Sequence, residues 1–117
     1  MIVDDDDAIR EAVRCVLEEE GYRTTEARHG REALNMLQQA EPKPALVLLD
    51  LMMPTMDGWQ LRLKMRGDPD LASIPIVIMT AHAGVVRAVS NAKPDTPVLP
   101  KPIDLERLLD LIATYAH

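Results

Sequence analysis

Polar side chains of three chemical kinds stand at the ends of short apolar runs in the sequence. Four adjacent aspartates, residues 4–7, directly follow the first apolar run. Three further polar residues end or follow later runs: Asp50, Thr80 and Lys101. Carboxylate oxygens suit Mg²⁺, whereas hydroxyl and ammonium groups suit the oxygens of a phosphoryl group. If the fold brings these residues together, their chemistry is that of phosphoryl transfer.

The secondary-structure elements that must position these polar residues can be predicted from the alternation of apolar runs and amphipathic stretches. The runs predict strands at 2–3, 22–27, 45–52, 74–81 and 97–100. Apolar residues at helical spacing predict helices at 8–20, 31–40, 57–68, 83–92 and 104–115. Continuous apolar strands are typical of parallel sheets covered on both faces. We therefore predict an α/β fold, a five-stranded doubly wound parallel sheet flanked by five helices.

The stretch 57–68 fits two interpretations. Its apolar residues alternate with polar ones at Trp59, Leu61, Leu63 and Met65. Taken alone, this alternation indicates a strand. A helix is the better prediction, because parallel neighbours need a crossover and Leu61 and Met65 form an i,i+4 pair.

A doubly wound sheet binds ligands beyond the carboxyl ends of its strands, where the predicted strands place the polar residues. The carboxylates expected to converge there are Asp4, Asp5 and Asp50. At an effective dielectric constant near 20, two unit charges about 4 Å apart repel by roughly 4 kcal/mol. Bound protons or a hard cation such as Mg²⁺ can relieve this repulsion. An aspartate in such a pocket can act as a nucleophile and form an acyl phosphate.

The acidic run divides into two functions. Asp4 and Asp5 belong to the predicted metal site. Asp6 and Asp7 are expected only to cap the first helix and complement its dipole, because anions stabilise a helix start.

Four segments carry a resemblance to a known family: "IVDDDDAIR", "LVLLDLMMPTMDGWQL", "IPIVIMTAH" and "LPKPIDLERLL". Over essentially the whole chain they resemble the receiver domain of two-component response regulators. The resemblance implies a flavodoxin-like sheet with strand order 2-1-3-4-5, in a single domain spanning residues 1–117.

The resemblance also implies the roles of the acidic residues. Asp50 is then the phosphoacceptor. Asp5 ligates Mg²⁺ directly and Asp4 does so largely through water. The backbone carbonyl of Met52 is a further ligand.

The remaining roles concern the phosphoryl group. By resemblance, Thr80 is the hydroxyl that moves onto it, and Lys101, placed by a cis bond to Pro102, is its counter-ion. The implied function is Mg²⁺-dependent phosphoryl transfer from a histidine kinase or histidine phosphotransfer protein to Asp50. Such a receiver is not an enzyme in its own right, although it promotes its own phosphorylation and dephosphorylation. The transfer switches a surface for an output protein or domain, or for a homodimer.

The chain departs from the family pattern at several positions. Val98 stands where the family has a switch aromatic, and Arg62 stands at a usually apolar position of the third helix. The region 84–96 lacks the usual Ala-Gly-Ala turn. His82, two residues after Thr80, lies at the rim of the predicted site.

Two other functions remain open. A haloacid-dehalogenase-type phosphohydrolase also uses Asp, Thr and Lys, but it needs a second acid where this chain has Met52. A pseudo-receiver would keep the fold as an interaction module without phosphorylation. Val98 favours this alternative, whereas the full set of acidic, hydroxyl and lysine residues disfavours it.

Composition limits the possible binding partners of the protein and its cellular location. The net charge of −6 disfavours a nucleic-acid-binding surface, which needs basic residues. The longest apolar run, 45–49, is too short to cross a membrane. Cys15 is the one cysteine, so no internal disulfide forms, and we expect it to pack beside the apolar face of the first helix. A cytoplasmic location is expected.

Overall fold

The computed structural model describes residues 1–51, 58–82, 84 and 97–115. The strands are β1 (Ile2–Val3), β2 (Glu26–Ala27), β3 (Val47–Asp50), β4 (Ile76–Thr80) and β5 (Val98–Pro100). The helices are α1 (Asp7–Glu19), α2 (Gly30–Gln39), α3 (Gly58–Arg66) and α4 (Leu105–Tyr115). None of these helices has the length and apolarity needed to span a lipid bilayer.

The five strands form one parallel sheet in the order β2-β1-β3-β4-β5. The predicted α/β class and the strand order 2-1-3-4-5 are therefore confirmed. The helix expected at 83–92 falls almost wholly outside the described residues, of which Gly84 alone belongs to that stretch. The described part of the chain accordingly contains four flanking helices and not five.

The core forms two layers, one on each face of the sheet, because successive strand residues point to opposite sides. One layer joins the strands to α1 and α4 through Ile2, Leu48, Val77, Met79, Val13, Leu17, Leu108 and Ile112. The other joins them to α2 and α3 through Val3, Val47, Leu49, Leu34, Leu37, Leu61 and Met65. Each fully buried aliphatic side chain contributes about 1.5–3 kcal/mol. The strand ends that carry the polar residues are thus anchored from both faces.

The ambiguous stretch is helix α3, which confirms the prediction. Leu61 and Met65 are buried, whereas Leu63 is 68% exposed. The i,i+4 pair therefore faces the core, and the intervening apolar residue that made the pattern look like a strand faces solvent. Arg62 is only 4% exposed, so its position is an inward one even though its side chain is charged.

Strand β2 is shorter than the predicted 22–27. Its neighbour β1 has two residues, and these pair with Glu26 and Ala27 alone. Tyr22 instead closes the end of α1, because its backbone N–H donates to the Leu17 carbonyl at 3.0 Å. Gly21 makes this turn possible with a φ of 89°, the left-handed conformation that glycine favours.

Candidate functional site

Asp4 and Asp50 lie next to each other at the carboxyl edge of the sheet. The parallel pairing of β1 with β3 matches Val3 to Leu49, and the following residue of each strand is an aspartate. Thr80 ends β4, the strand on the other side of β3. The parallel topology therefore brings residues that are far apart in sequence side by side along one edge of the sheet.

Three carboxylates meet at this edge, as the sequence predicts. Asp4, Asp5 and Asp50 each offer one oxygen, and these oxygens lie within 4.8 Å of one another. Asp4 is fully buried and Asp50 is 4% exposed, whereas Asp5 is exposed. Two carboxylates of the cluster are thus shielded from water, and the third is exposed to it.

Asp4 is held by a hydrogen bond at each of its polar atoms. Its Oδ1 accepts from the Asp6 backbone N–H at 2.9 Å, and its Oδ2 accepts from Lys101 Nζ at 2.9 Å. Its backbone N–H donates to the Ala27 carbonyl at 3.1 Å. Its carbonyl oxygen accepts from Arg10 Nη1 at 2.6 Å. A fully buried carboxylate requires such partners, because an unpaired one would be costly to desolvate.

Lys101 brings the positive charge of the site. Its Nζ lies 2.9 Å from Asp4 Oδ2 and 3.5 Å from Asp50 Oδ1. The peptide bond to Pro102 is cis, as expected, and the Lys101 backbone N–H donates to the Thr80 carbonyl at 2.8 Å. Burial alone lowers the pKa of Lys101, but the hydrogen bond and charge of Asp4, with the charge of Asp50, outweigh it and raise that pKa.

The donor set of the pocket fits a divalent hard cation. All three ligand atoms are carboxylate oxygens. Three carboxylates and the one ammonium group of Lys101 leave a formal charge of −2. Mg²⁺ is held by few protein oxygens and keeps waters or phosphate oxygens at its other positions, which suits the open side at Asp5.

Thr80 is 1% exposed, and its hydroxyl lies at the carboxyl end of β4. Thr80 Oγ1 accepts a hydrogen bond from the His82 backbone N–H at 3.1 Å. A hydroxyl group that accepts one hydrogen bond can also donate one, here to a ligand oxygen. His82 itself is exposed, consistent with its predicted place at the rim.

Gly58 allows the chain to return closely past the site. Its N–H donates to the Leu51 carbonyl at 3.0 Å. A Cβ at this position would lie 2.6 Å from the Asp50 carbonyl oxygen and 2.8 Å from Leu51 Cα, too close for any side chain. The first turn of α3 therefore supports the backbone of Asp50 directly.

The helix capping predicted for the second half of the acidic run is confirmed. Asp6 is the N-cap of α1, and its side chain accepts from the backbone N–H groups of Ala8 at 2.9 Å and Ile9 at 3.2 Å. Asp7 lies in the first turn and forms an ion pair with Arg10.

Two residues of α1 differ from expectation. The amphipathic pattern places Arg10 on the polar face, but it is 8% exposed and contacts the Asp4 carbonyl. Cys15, expected to pack beside the apolar face, is exposed, so this prediction was wrong. The i,i+3 spacing of Asp7 and Arg10 is compatible with an ion pair on a helix, but a linear pattern does not show that Arg10 lies against the backbone that follows β1.

One predicted ligand and one predicted helix lie outside the described residues. These are the backbone carbonyl of Met52 and the helix expected at 83–92, apart from Gly84. Val98 lies within β5 and is buried with Leu51 and Ile78, against which Trp59 packs.

Comparison with known proteins agrees with this geometry. Residues 1–113 match the family model described as the response regulator receiver domain. Response regulator MprA from Mycolicibacterium vanbaalenii is 39% identical over 110 residues, which cover 93% of this chain and 46% of that protein. The chain thus spans about half the length of the curated relatives it matches.

Solved structures show the same similarity. The signal receiver domain of a signal transduction histidine kinase from Syntrophus aciditrophicus has a TM-score of 0.86 and 31% identity, with 98% of this chain and 86% of that chain covered. Chemotaxis protein CheY4 from Vibrio cholerae has a TM-score of 0.84 and 30% identity, with 97% and 94% covered.

Proposed function

This chain belongs to the response regulator receiver domain family, and from that premise we propose that it is the phosphoacceptor module of a two-component phosphorelay. A phosphorylated histidine of a kinase or phosphotransfer protein donates its phosphoryl group to Asp50. One observation carries the proposal: the buried Asp50 offers an oxygen within 4.8 Å of Asp4 and Asp5 oxygens, and its Oδ1 lies 3.5 Å from Lys101 Nζ. In this proposal, residues 1–117 form one domain that is located in the cytoplasm.

Asp50 acts as the nucleophile in this proposal. One carboxylate oxygen attacks phosphorus, an acyl phosphate bond forms, and the bond from phosphorus to the donor imidazole breaks. The imidazole keeps the electron pair and takes up a proton. The burial of Asp50 at the paired end of β3 supports this role, because it restricts the orientations of the attacking carboxylate.

Lys101 and Thr80 stabilise the transferred group. The ammonium group of Lys101 compensates charge on the phosphoryl oxygens, as a charge-assisted donor can. The buried hydroxyl of Thr80 donates a hydrogen bond to the same group. Their positions beside Asp50, at the ends of neighbouring strands, support both roles.

Asp4, Asp5 and Asp50 hold Mg²⁺ in this proposal, with the Met52 carbonyl as a further ligand by family resemblance. When bound, the ion supplies positive charge that neutralises the carboxylates and the phosphoryl oxygens. The three residues place one oxygen each within 4.8 Å of one another, and the exposure of Asp5 gives the donor a route to the cluster from solvent.

The outcome of phosphorylation is a change of surface. The added charge at Asp50 draws Thr80 toward the phosphoryl group and biases the end of β4 between two arrangements. Val98 cannot make the aromatic rotamer change of the family, so Thr80 carries the local part of the switch. A downstream protein, an output domain or a second copy reads the altered surface.

A pseudo-receiver is the second candidate. Its supporting observation is Val98, which is 8% exposed and fills the position of the switch aromatic with a small side chain. A module of this kind would bind a partner without taking up a phosphoryl group.

Incubation with acetyl phosphate and Mg²⁺, followed by intact mass measurement, tests the proposal. We expect a mass gain of one phosphoryl group that disappears in Asp50→Asn. Asp104→Asn, which alters an exposed aspartate before α4, is the matched control and keeps the gain. No gain with acetyl phosphate or with a phosphorylated histidine donor would favour the pseudo-receiver.

A further inference from the structure

We propose that Arg10 is a positioning residue of the acidic pocket: it holds the peptide between Asp4 and Asp5 in the orientation that directs both carboxylates toward Asp50. This inference rests on the proposed function, because it assigns Arg10 a role in the metal site of that function. The sequence pattern assigns Arg10 only to a solvated helix face.

The contacts of Arg10 connect three elements. Nη1 donates to the Asp4 carbonyl at 2.6 Å, and Nη2 donates to Asp7 at the start of α1. Nε lies 3.4 Å from Glu26 Oε1 in β2. The side chain is 10% exposed, so these contacts are largely shielded from water. A guanidinium group is planar and rigid, so partners on three sides leave it little freedom.

The carbonyl that Arg10 contacts belongs to the peptide joining Asp4 to Asp5. The N–H of Asp4 is already held by the Ala27 carbonyl. With both ends of the residue held, the path of the backbone into Asp5 is determined. This matters most for Asp5, because its exposed side chain has no hydrogen-bond partner among the residues that the structure describes. Its direction depends on its backbone.

An electrostatic role and a positioning role of Arg10 predict opposite changes in cation affinity when the residue is removed. If Arg10 acted only through its positive charge, its loss would make the pocket more negative and would tighten the binding of a cation. If it positions the Asp4–Asp5 peptide, its loss weakens binding, because the oxygens no longer converge. The sign of the change therefore distinguishes the two.

Arg14 provides a matched control on the same helix. It lies one turn after Arg10, and its Nη1 contacts the same Glu26, at 3.3 Å from Oε2. None of its described contacts involves Asp4 or Asp5. Arg14→Met therefore removes an equal charge and an ion pair to β2 without disturbing the peptide.

The test measures Mg²⁺ binding by calorimetric titration without any phosphodonor, beside urea unfolding of each variant. We expect Arg10→Met to weaken the Mg²⁺ affinity about tenfold, the size typical for residues that orient metal ligands. Arg14→Met leaves the affinity unchanged. Arg10→Lys keeps a donor but loses the planar fork, and it gives an intermediate affinity even if Arg10→Met does not fold.

The outcomes separate this inference from the function on which it rests. Unchanged or tighter binding by Arg10→Met, or by Arg10→Lys if only that variant folds, overturns the positioning role and leaves the proposed function intact. Equal weakening in Arg14→Met also overturns it, since a general electrostatic or structural effect would then suffice. Absence of Mg²⁺ binding by the unaltered protein overturns the proposed metal site and the role of Arg10 together.

Discussion

Lys101 Nζ lies closer to Asp4 than to Asp50, at 2.9 Å from Asp4 Oδ2 against 3.5 Å from Asp50 Oδ1. The fully buried Asp4 thus has the lysine as its main charge partner. Because removal of one member of a buried pair leaves the other uncompensated, loss of Lys101 should destabilise the fold as well as alter the site.

Lys101→Met is expected to lower the free energy of unfolding by about 1–3 kcal/mol, less than for a completely buried pair because Lys101 is partly exposed. Urea unfolding without Mg²⁺ measures the change. Lys64→Met, at an exposed position of α3, is the control and should change stability little. Equal stability of Lys101→Met and the unaltered protein would contradict the role of Lys101 as the partner of Asp4.

The raised pKa of Lys101 predicts an alkaline loss of stability. A cation with a pKa that is higher in the folded state stabilises the fold fully below its unfolded value, and this contribution disappears as pH rises through the folded value. The unfolding free energy should therefore fall above pH 10.5, the ordinary value for lysine. The difference between the unaltered protein and Lys101→Met, followed across pH, isolates this contribution. A difference that stays constant into strong alkali would be inconsistent with it.

Asp5→Asn should stabilise the metal-free protein by about 1 kcal/mol, because it removes one of three mutually repelling carboxylates. The gain is small because Asp5 is exposed and water screens the repulsion. The same change should reduce the stabilisation that added Mg²⁺ provides. Urea unfolding with and without Mg²⁺ measures both effects. Asp6→Asn is the matched control: the charge change is the same one residue later, and asparagine also caps helices. If Asp6→Asn alters the Mg²⁺ effect as much, the acidic run is not divided as described.

Gly58→Ala should cost about 1–3 kcal/mol and slow phosphorylation, because its Cβ would displace the Asp50 backbone. Gly67→Ala is the control, since a Cβ there meets nothing nearer than the Leu63 carbonyl oxygen at 3.6 Å. Unfolding and the rate of labelling by acetyl phosphate are the measurements. Similar behaviour of the two variants would show that the backbone around Asp50 can give way.

His82→Ala should slow the loss of the phosphoryl group about tenfold, if the imidazole helps to orient or deprotonate the attacking water. The hydrogen bond to Thr80 Oγ1 comes from the His82 backbone and remains available in the variant. Intact mass followed over time, after removal of the donor, gives the rate. His29→Asn removes an imidazole but can still cap α2 and should not change the rate. Unchanged or faster decay in His82→Ala would exclude this role.

The sequence predicts the parallel sheet and the convergence of the acidic residues because both depend on strong, local signals, whereas the strand order was implied by the family resemblance. Continuous apolar runs mark β3 and β4, and a parallel sheet brings the residues that follow its strands to one edge. The identity of α3 needed the topological argument, since Leu63 obscures the helical pattern and its exposure appears only in three dimensions.

Other features depend on partners that a linear pattern does not contain. The length of β2 is limited by the two residues of β1 available for pairing. The burial of Arg10 arises because α1 starts against the carbonyl of Asp4, so a charged residue faces inward toward backbone oxygen. Cys15 was misplaced because it lies at the flank of the apolar face, where a small rotation of the helix decides between core and solvent.

The contact between Lys101 and Asp4 spans 97 residues of sequence. In a chain emerging from the ribosome, the segments of β1 and β3 and their aspartates are synthesised well before the lysine. During that interval the carboxylate of Asp4 lacks its ammonium partner, and β5 is not yet present to pair with the edge of β4. The pocket is therefore a late product of synthesis, and truncated chains that end before residue 101 should be unable to complete it.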